Sequence, residues 1–235
     1  MKIGIIGSGG VGGFFGAKLA KSGQDVVFIQ RGAHLEAMQR NGLKVESGLG
    51  DITLPAVRAT DNSCEVGLVD VVLGSVKSGQ TDEAVKLTKP MMGKNTAVIT
   101  LQNGVENEHR LVEKLGEGNV LGGVAYILSL IKAPGLIQQT GPMARLEFGE
   151  LDGARSRRAL EFLEACENAS IEATLSDNIQ QNIWKKFVFL CPHNGMTSLT
   201  RSSIGSIRDD QDCRALLEGA VNEVLLLAAA KGVSV

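Results

Sequence analysis

The sequence is short of the residues on which several classes of protein depend. Aromatic side chains make up 4% of its 235 residues, with one tryptophan and one tyrosine. No apolar run approaches the roughly 20 residues of a membrane-spanning helix. The chain begins directly with a strand-like segment, which leaves no room for a signal peptide. We therefore expect a cytoplasmic protein without a membrane partner.

Cysteine and histidine are too few and too scattered for a metal centre. The cysteines are Cys64, Cys166, Cys191 and Cys213, and they form no C-x-x-C pair. The three histidines also stand alone, without the spacing of metal ligands. We predict no metal site, and reduced thiols that are mostly buried.

Neither sign of charge is in excess. The 24 lysines and arginines face 26 acidic residues, a formal net charge of −2 at pH 7. The chain therefore has no overall basic surface for nucleic acid. Glycine, in contrast, is abundant at 29 residues, which is more typical of a sheet-and-helix enzyme with many tight turns than of an interaction module.

The amino-terminal stretch carries the clearest motif. Ile3 to Ile6 predict a buried strand, and apolar and small residues at helical spacing predict a helix over Val11 to Ala20. Between them lies the G-x-G-x-x-G sequence Gly7-Ser8-Gly9-Gly10-Val11-Gly12. Strand, glycine turn and helix in this order predict a dinucleotide-binding unit. The alternative is a glycine-rich turn of an unrelated α/β protein.

Each glycine of the motif has a predicted role. Gly7 allows the tight turn, Gly9 lets the backbone approach a pyrophosphate, and Gly12 allows close packing of helix on strand. The free N–H groups at the helix start would hold the phosphates. The predicted cofactor-binding residues of this turn are Gly7, Ser8, Gly9, Gly10, Val11 and Gly12.

Arg31 predicts the phosphorylated form of the cofactor. The second predicted strand, Asp25 to Ile29, is followed by Gln30-Arg31, where an acidic residue would bind the adenosine ribose of NAD. A guanidinium suits a 2′-phosphate through paired hydrogen bonds. We therefore predict NADPH/NADP, with a solvated surface arginine as the alternative.

Strands and helices alternate along most of the chain. Buried strands are predicted over Asp70 to Val76 and over Thr96 to Leu101, and this spacing predicts a parallel sheet with helices on both faces. From about Arg155 the chain becomes largely helical. We predict an α/β fold with an N-terminal Rossmann-type parallel sheet over residues 1–172 and a C-terminal all-helical domain over residues 173–235.

Three residues follow the carboxyl ends of predicted strands, and ligands of such sheets lie at that edge. They are Arg31, Lys77 and Asn103. Their shared location predicts one cofactor crevice. The alternatives are a solvated lysine at Lys77 and an ordinary Asn-Gly turn at Asn103.

A second group of polar residues lies on the helix predicted from Ile179 to Cys191. Four positions are spaced by four residues: Asn182, Lys186, Leu190 and Asn194. They share one stripe if the helix persists, but Pro192 predicts a kink or an end near Val188. A bound polar ligand would explain the stripe, whereas an exposed basic pair, Lys185 and Lys186, is the alternative.

Over its whole length the chain resembles the ketopantoate reductase family (2-dehydropantoate 2-reductases). The matching segments are Gly7 to Gly12, Arg31, Ser75-Val76-Lys77, Leu101-Gln102-Asn103-Gly104, Pro134-Gly135, Phe148-Gly149-Glu150, Trp184-Lys185-Lys186-Phe187, Asn194, Leu199-Thr200-Arg201 and Ile204-Gly205. The resemblance implies NADPH-dependent reduction of 2-dehydropantoate to pantoate, a step of pantothenate and coenzyme A biosynthesis.

The resemblance also implies residue roles. Lys186 matches the catalytic lysine, which hydrogen-bonds the ketone oxygen and supplies the proton. Asn103 matches an asparagine at the junction of cofactor and substrate, Lys77 a lysine of the same cleft, and Asn194 a substrate-binding asparagine. The chemistry is reasonable, because hydride arriving at a carbonyl carbon leaves a negative oxygen that an ammonium stabilises and protonates.

Two departures from the family pattern keep other functions open. Leu190 stands where many members have an asparagine. The chain stops at Val235, whereas members usually continue with helices that carry a substrate-binding serine and an active-site glutamate, so the helical domain is expected to be truncated. The alternatives are a paralogue that reduces another small 2-keto acid and a non-catalytic NADPH-binding or redox-sensing protein. The apolar face of Leu216 to Ala230 is expected to pack against further helices or a second subunit in a homodimer.

Overall fold

The computed structural model describes every residue from Met1 to Val235. The strands are β1 (Lys2–Ile6), β2 (Asp25–Ile29), β3 (Leu43–Ser47), β4 (Ile52–Leu54), β5 (Arg58–Thr60), β6 (Val69–Gly74), β7 (Met92–Thr100), β8 (Val120–Ala133), β9 (Leu136–Glu150) and β10 (Glu172–Leu175). The helices are α1 (Gly10–Lys21), α2 (Gly32–Asn41), α3 (Thr81–Thr88), α4 (Asn107–Leu115), α5 (Arg157–Asn168), α6 (Ile179–Thr200), α7 (Ile204–Asp209) and α8 (Gln211–Ala230).

All ten strands join one sheet in the order β4-β3-β9-β8-β7-β6-β1-β2-β5, with β10 paired to β9. Its centre is parallel: β1 lies between β2 and β6, and β6 pairs with β7. These strands are apolar and buried on both faces, as a parallel sheet covered by helices requires. The predicted α/β class with a Rossmann-type amino-terminal sheet and a helical carboxyl-terminal region is confirmed.

The sheet also contains antiparallel pairs at one side. β8 and β9 form a long antiparallel hairpin, and β3 pairs antiparallel with β4. Between β8 and β9 stand only Pro134 and Gly135, and a two-residue connection can join only antiparallel neighbours. Gly135 has φ +74°, the left-handed conformation that glycine adopts at no steric cost.

The few aromatic residues are concentrated in the core of the sheet unit. Five phenylalanines are at most 1% exposed: Phe14, Phe15, Phe28, Phe148 and Phe162. Phe148 of β9 and Phe162 of α5 meet edge to face with ring centroids 4.9 Å apart. Such pairs add packing energy to the burial of apolar area, so a low aromatic content still supports a dense core.

The chain divides into two compact units. The first comprises Met1–Gln102 and Glu106–Ile179, and the second comprises Asn103–Val105 and Gln180–Val235. The predicted boundary lies after residue 172, whereas β10 extends the sheet by pairing with β9 and therefore remains in the first unit. No helix of either unit combines the length and the apolar character that crossing a membrane requires.

The second unit is built on α6 and α8. Trp184, Val224 and Ala228 form its buried cluster, and Val105 packs against them. The sequence predicts that Pro192 ends or kinks the helix near Val188. The helix does not end there, because α6 continues to Thr200. Proline leaves the Val188 carbonyl without a backbone donor, a cost of about 3 kcal/mol, and we attribute the persistence of the helix to its buried side chains, such as Met196.

The cysteines correct another expectation. All four are free, but only Cys166 is buried, while Cys64 and Cys191 are exposed. Burial raises the pKa of the Cys166 thiol to about 12. Cys166 is therefore an inert core residue, and the expectation of mostly buried thiols is wrong for the others.

Candidate functional site

The glycine turn connects β1 to α1 and leaves the helix start uncapped. Gly7 has φ +83°, and a side chain there would also meet Cγ1 of Val76 at 2.7 Å. Gly9 is the N-cap of α1, and no side chain caps the first turn. The N–H groups at the start of the helix are therefore available to an anion.

The glycines of the turn differ in the space around them. Apart from Gly9 and its two chain neighbours, no protein atom lies within 4 Å of the position that a Cβ on Gly9 would occupy. A Cβ on Gly10 would collide with the carbonyl of Ser129, and one on Gly12 would lie 2.5 Å from the Gly7 carbonyl oxygen. The turn is thus packed tightly on its protein side and open at Gly9, where a pyrophosphate needs close approach to the backbone.

Arg31 lies at the start of α2 and already has a partner. It is the N-cap residue of that helix, and its Nη1 donates to Oε1 of Glu83 on α3 at 2.6 Å. Both side chains are more than half exposed, so the pair contributes at most about 1 kcal/mol. Sequence reasoning missed Glu83, which lies 52 residues further along the chain.

Lys77 follows β6 and is exposed. It is the N-cap of a short 3-10 turn, Ser78–Gln80. The residues just before it reach the glycine turn, because a side chain on Gly7 would touch both Ser75 and Val76. Within the first unit, the structure therefore brings the segment leading to Lys77 against the predicted cofactor turn.

Gln102 lies just after β7 and is hydrogen-bonded to two threonines, one at the end of β7 and one at the start of α3. Its Nε2 donates to Oγ1 of Thr81 at 3.0 Å, and Oγ1 of Thr100 donates to its Oε1 at 3.1 Å. Thr81 is buried and begins α3. This network fixes the residue that immediately precedes Asn103 in the chain, a role that the motif alone did not reveal.

Lys186 and Asn103 meet within the second unit. Nζ of Lys186 donates to Oδ1 of Asn103 at 2.7 Å. Because α6 is unbroken, Asn182 lies one turn before Lys186 and Asn194 lies two turns after it, and Asn194 is exposed. The neighbouring Lys185 is instead bonded to Gln181, with Nζ 3.0 Å from Oε1, so the two consecutive lysines differ in their partners.

Two family models and an individual relative that match this chain have the same family description. The family model described as "Ketopantoate reductase PanE/ApbA" matches residues 3–153, and the model described as "Ketopantoate reductase PanE/ApbA C terminal" matches residues 178–235. A 2-dehydropantoate 2-reductase of Mesorhizobium japonicum is 32% identical over 254 residues, covering 99% of this chain and 77% of the relative.

A second related sequence and a solved structure are also similar to this chain. The uncharacterized oxidoreductase YkpB of Bacillus subtilis is 29% identical over 233 residues, which cover 99% of this chain and 76% of that protein. The crystal structure of 2-dehydropantoate 2-reductase from Geobacter metallireducens GS-15 superposes with a TM-score of 0.93 at 33% identity, over 100% of this chain and 77% of the other.

Proposed function

The chain belongs to the ketopantoate reductase family of nicotinamide-dependent oxidoreductases, and from this we propose that it reduces 2-dehydropantoate to pantoate with NADPH, in pantothenate and coenzyme A biosynthesis. The substrate would be a small molecule with a ketone next to a carboxylate. One observation carries the enzymatic part of the proposal, the hydrogen bond from Lys186 Nζ to Asn103 Oδ1 at 2.7 Å.

That hydrogen bond gives Lys186 a defined direction. An amide oxygen can only accept, so the bond to Asn103 orients one N–H of the ammonium group. The cofactor, when bound, supplies a hydride to the carbonyl carbon. As the electrons of the carbonyl π bond move to oxygen, Lys186 stabilises the developing charge and transfers a proton from Nζ, which leaves an alcohol and a neutral amine.

We assign cofactor binding to the first unit. The uncapped start of α1 and the open position at Gly9 support binding of the pyrophosphate. Arg31 is assigned to the 2′-phosphate and Lys77 to the same dinucleotide. The second unit would hold the substrate through Lys186 and Asn194.

The assignment of Lys186 is tested by replacing it beside a matched neighbour. We expect Lys186→Ala to lower kcat by roughly 100-fold or more, the usual size of a general acid's contribution, while NADPH binding stays near that of the wild type. Lys185→Ala, one position away, should keep near-normal kcat. Equal activity of the two variants would show that Lys186 is not the proton donor. A wild-type protein that binds NADPH but reduces no 2-keto acid would favour a non-catalytic, redox-sensing role.

A second candidate function is the reduction of another small 2-keto acid. The apolar Leu190 lies one turn after Lys186 on the continuous helix α6, so the stripe lacks a polar group there. Ratios of kcat/KM over a panel of branched, linear and aromatic 2-keto acids distinguish the two candidates. A preference of less than about tenfold for 2-dehydropantoate would favour the second.

The choice between NADPH and NADH is tested at the Arg31–Glu83 pair. Charge-assisted hydrogen bonds contribute about 1.5–3 kcal/mol, so Arg31→Gln should weaken NADPH binding by roughly 10- to 100-fold and leave NADH binding nearly unchanged. Glu83→Gln should strengthen NADPH binding, because it removes the carboxylate that competes with the phosphate for Arg31. An equal loss for both dinucleotides in Arg31→Gln would contradict the 2′-phosphate assignment.

A further inference from the structure

His34 is a buried polar side chain for which the proposed reaction has no use. It lies on the first turn of α2, three residues after Arg31, and it is 6% exposed. Both ring nitrogens are engaged: Nε2 lies 3.1 Å from the carbonyl oxygen of Ser8, and Nδ1 lies 3.0 Å from the backbone nitrogen of Gly135. Ser8 belongs to the glycine turn, and Gly135 to the β8–β9 connection.

These two contacts determine the state of the imidazole. The Gly135 N–H can only donate, so Nδ1 must be unprotonated and accept. The Ser8 carbonyl can only accept, so Nε2 must carry the proton and donate. Burial also lowers the pKa of His34, more than the bond to Ser8 raises it. His34 is therefore a neutral imidazole of one defined tautomer, which links two backbone groups 127 residues apart.

The β8–β9 hairpin packs against both cofactor-side helices, at the start of α1 and at the middle of α2. At α1, the backbone at Ser129 leaves no room for a side chain on Gly10. At α2, a Cβ on Gly135 would lie 3.2 Å from Cβ of Ala37. The Gly135 carbonyl is held as well, since it accepts from the Lys44 N–H at 2.9 Å. The hairpin end is thus a fixed support, and His34 connects it to the glycine turn.

We propose that His34 is a positioning residue for the dinucleotide, which holds the Ser8 carbonyl of the glycine turn against the β8–β9 hairpin and so sets the turn for the pyrophosphate. The inference rests on the proposed function insofar as the glycine turn binds a dinucleotide. It gives the Pro134-Gly135 segment a purpose as well, because the Gly135 N–H fixes the tautomer that can donate to Ser8.

Three substitutions separate the two hydrogen bonds. His34→Ala removes both. His34→Gln keeps an amide donor near the position of Nε2, and His34→Asn keeps an amide oxygen near the position of Nδ1. Titrations with NADPH and with NADH give the dissociation constants, and steady-state rates of the substrate-reducing protein give KM and kcat.

We expect His34→Ala to raise the dissociation constants of both dinucleotides roughly tenfold, the value of one hydrogen bond of typical strength. KM for the dinucleotide should rise equally, with kcat at saturation within about twofold of the wild type. His34→Gln should restore most of the affinity because it keeps the bond to Ser8, whereas His34→Asn should not. Wild-type affinity in His34→Ala, or rescue by Asn rather than Gln, would overturn the proposal.

A matched control tests for a purely structural role. Asn119 also links two backbone groups, since its Nδ2 donates to the carbonyls of Gly93 and Thr96 at 3.3 and 2.9 Å. We expect Asn119→Ala to lower thermal stability as His34→Ala does, but to leave both dissociation constants unchanged. Equal weakening of dinucleotide binding by the two variants would reduce His34 to a stability residue and overturn the proposal.

A spectroscopic measurement on the wild-type protein covers the case in which His34→Ala does not fold. Long-range 1H–15N correlation resolves the rings of the three histidines and distinguishes the two neutral tautomers. We expect His34 as the Nε2–H tautomer, with a shift of its Nε2 proton when NADPH is added. An Nδ1–H tautomer, or no response to bound NADPH, would overturn the positioning role. A wild-type protein that binds neither NADPH nor NADH would instead overturn the proposed function.

Discussion

At the scale of single residues, Glu108 shows how burial overrides a favourable local position. It is the second residue of α4, where the helix dipole favours a carboxylate, and it accepts backbone hydrogen bonds from its own N–H and from Gly123. Glu108 is nevertheless only 7% exposed, and this burial raises its pKa to about 7. Part of the population therefore carries a protonated Glu108 near neutrality.

This carboxyl makes the stability of the protein depend on pH. The folded pKa lies above the usual value of 4.5, so the contribution of Glu108 is fully present below about pH 4.5 and is lost as the pH rises through about 7. The free energy of unfolding of Glu108→Gln relative to the wild type should therefore rise by as much as about 3 kcal/mol across that range. Urea titrations of both proteins at several pH values measure it, and a pH-independent difference would contradict the assignment.

The candidate site residues that the sequence predicts are those with a local signature. The glycine motif and Arg31 follow from their positions after predicted strands, and Lys186 follows from the resemblance of its surrounding block. Glu83 and His34 have no such signature. Their partners lie 52 and 101 residues away in the chain, and only the folded backbone brings those groups together.

At the scale of elements, the glycines of the turn and of α1 are not equivalent. We expect Gly9→Ala to keep wild-type stability within about 0.5 kcal/mol, because the new methyl group enters open space and φ is −74°. The same methyl group should obstruct the pyrophosphate and weaken NADPH binding. Gly10→Ala should instead lower stability by roughly 1–3 kcal/mol, since its Cβ meets the Ser129 carbonyl.

Thermal unfolding and NADPH titration of the two variants measure these effects. The pattern should be reciprocal: lost binding with intact stability for Gly9→Ala, and lost stability for Gly10→Ala. Unchanged NADPH binding in a folded Gly9→Ala protein would place the pyrophosphate elsewhere.

Element prediction succeeded where periodicity and end signals agree. β2 has the predicted bounds, Asp25–Ile29. The ends of β6 and β7 differ from the prediction because hydrogen bonding to neighbours, rather than apolar content, decides where a strand ends. The short β5 was not predicted; it is a three-residue strand held by pairing with β2. The helix end predicted from Pro192 is wrong for a related reason, since tertiary packing of α6 outweighs one missing backbone hydrogen bond.

At the scale of the whole molecule, the proposed cofactor should stabilise the fold by mass action. A ligand that binds only the native state adds about 2.7 kcal/mol at a free concentration 100-fold above its dissociation constant. For a chain of this size that corresponds to a rise in Tm of roughly 5–10 °C. We also expect NADPH to slow amide hydrogen exchange at the start of α1, the start of α2 and the β8–β9 hairpin.

Differential scanning calorimetry and hydrogen-exchange mass spectrometry make these measurements. The control is Gly9→Ala, which should show a much smaller rise in Tm at the same NADPH concentration. Protection confined to α8, or an unchanged Tm at saturating NADPH, would contradict binding at the glycine turn.

The division of the chain has a practical consequence for dissecting it. Asn103–Val105 lie inside the sequence of the first unit but belong to the second, where Val105 packs against the Trp184 cluster. A fragment ending at Ile179 would contain this tripeptide without the residues it packs against, and the apolar side chain of Val105 would be exposed to solvent. The complementary fragment would keep the sole tryptophan but with a gap in its packing, so its fluorescence would report the loss. Co-expression of both fragments, with return of the native emission spectrum, is the sounder route to studying the halves.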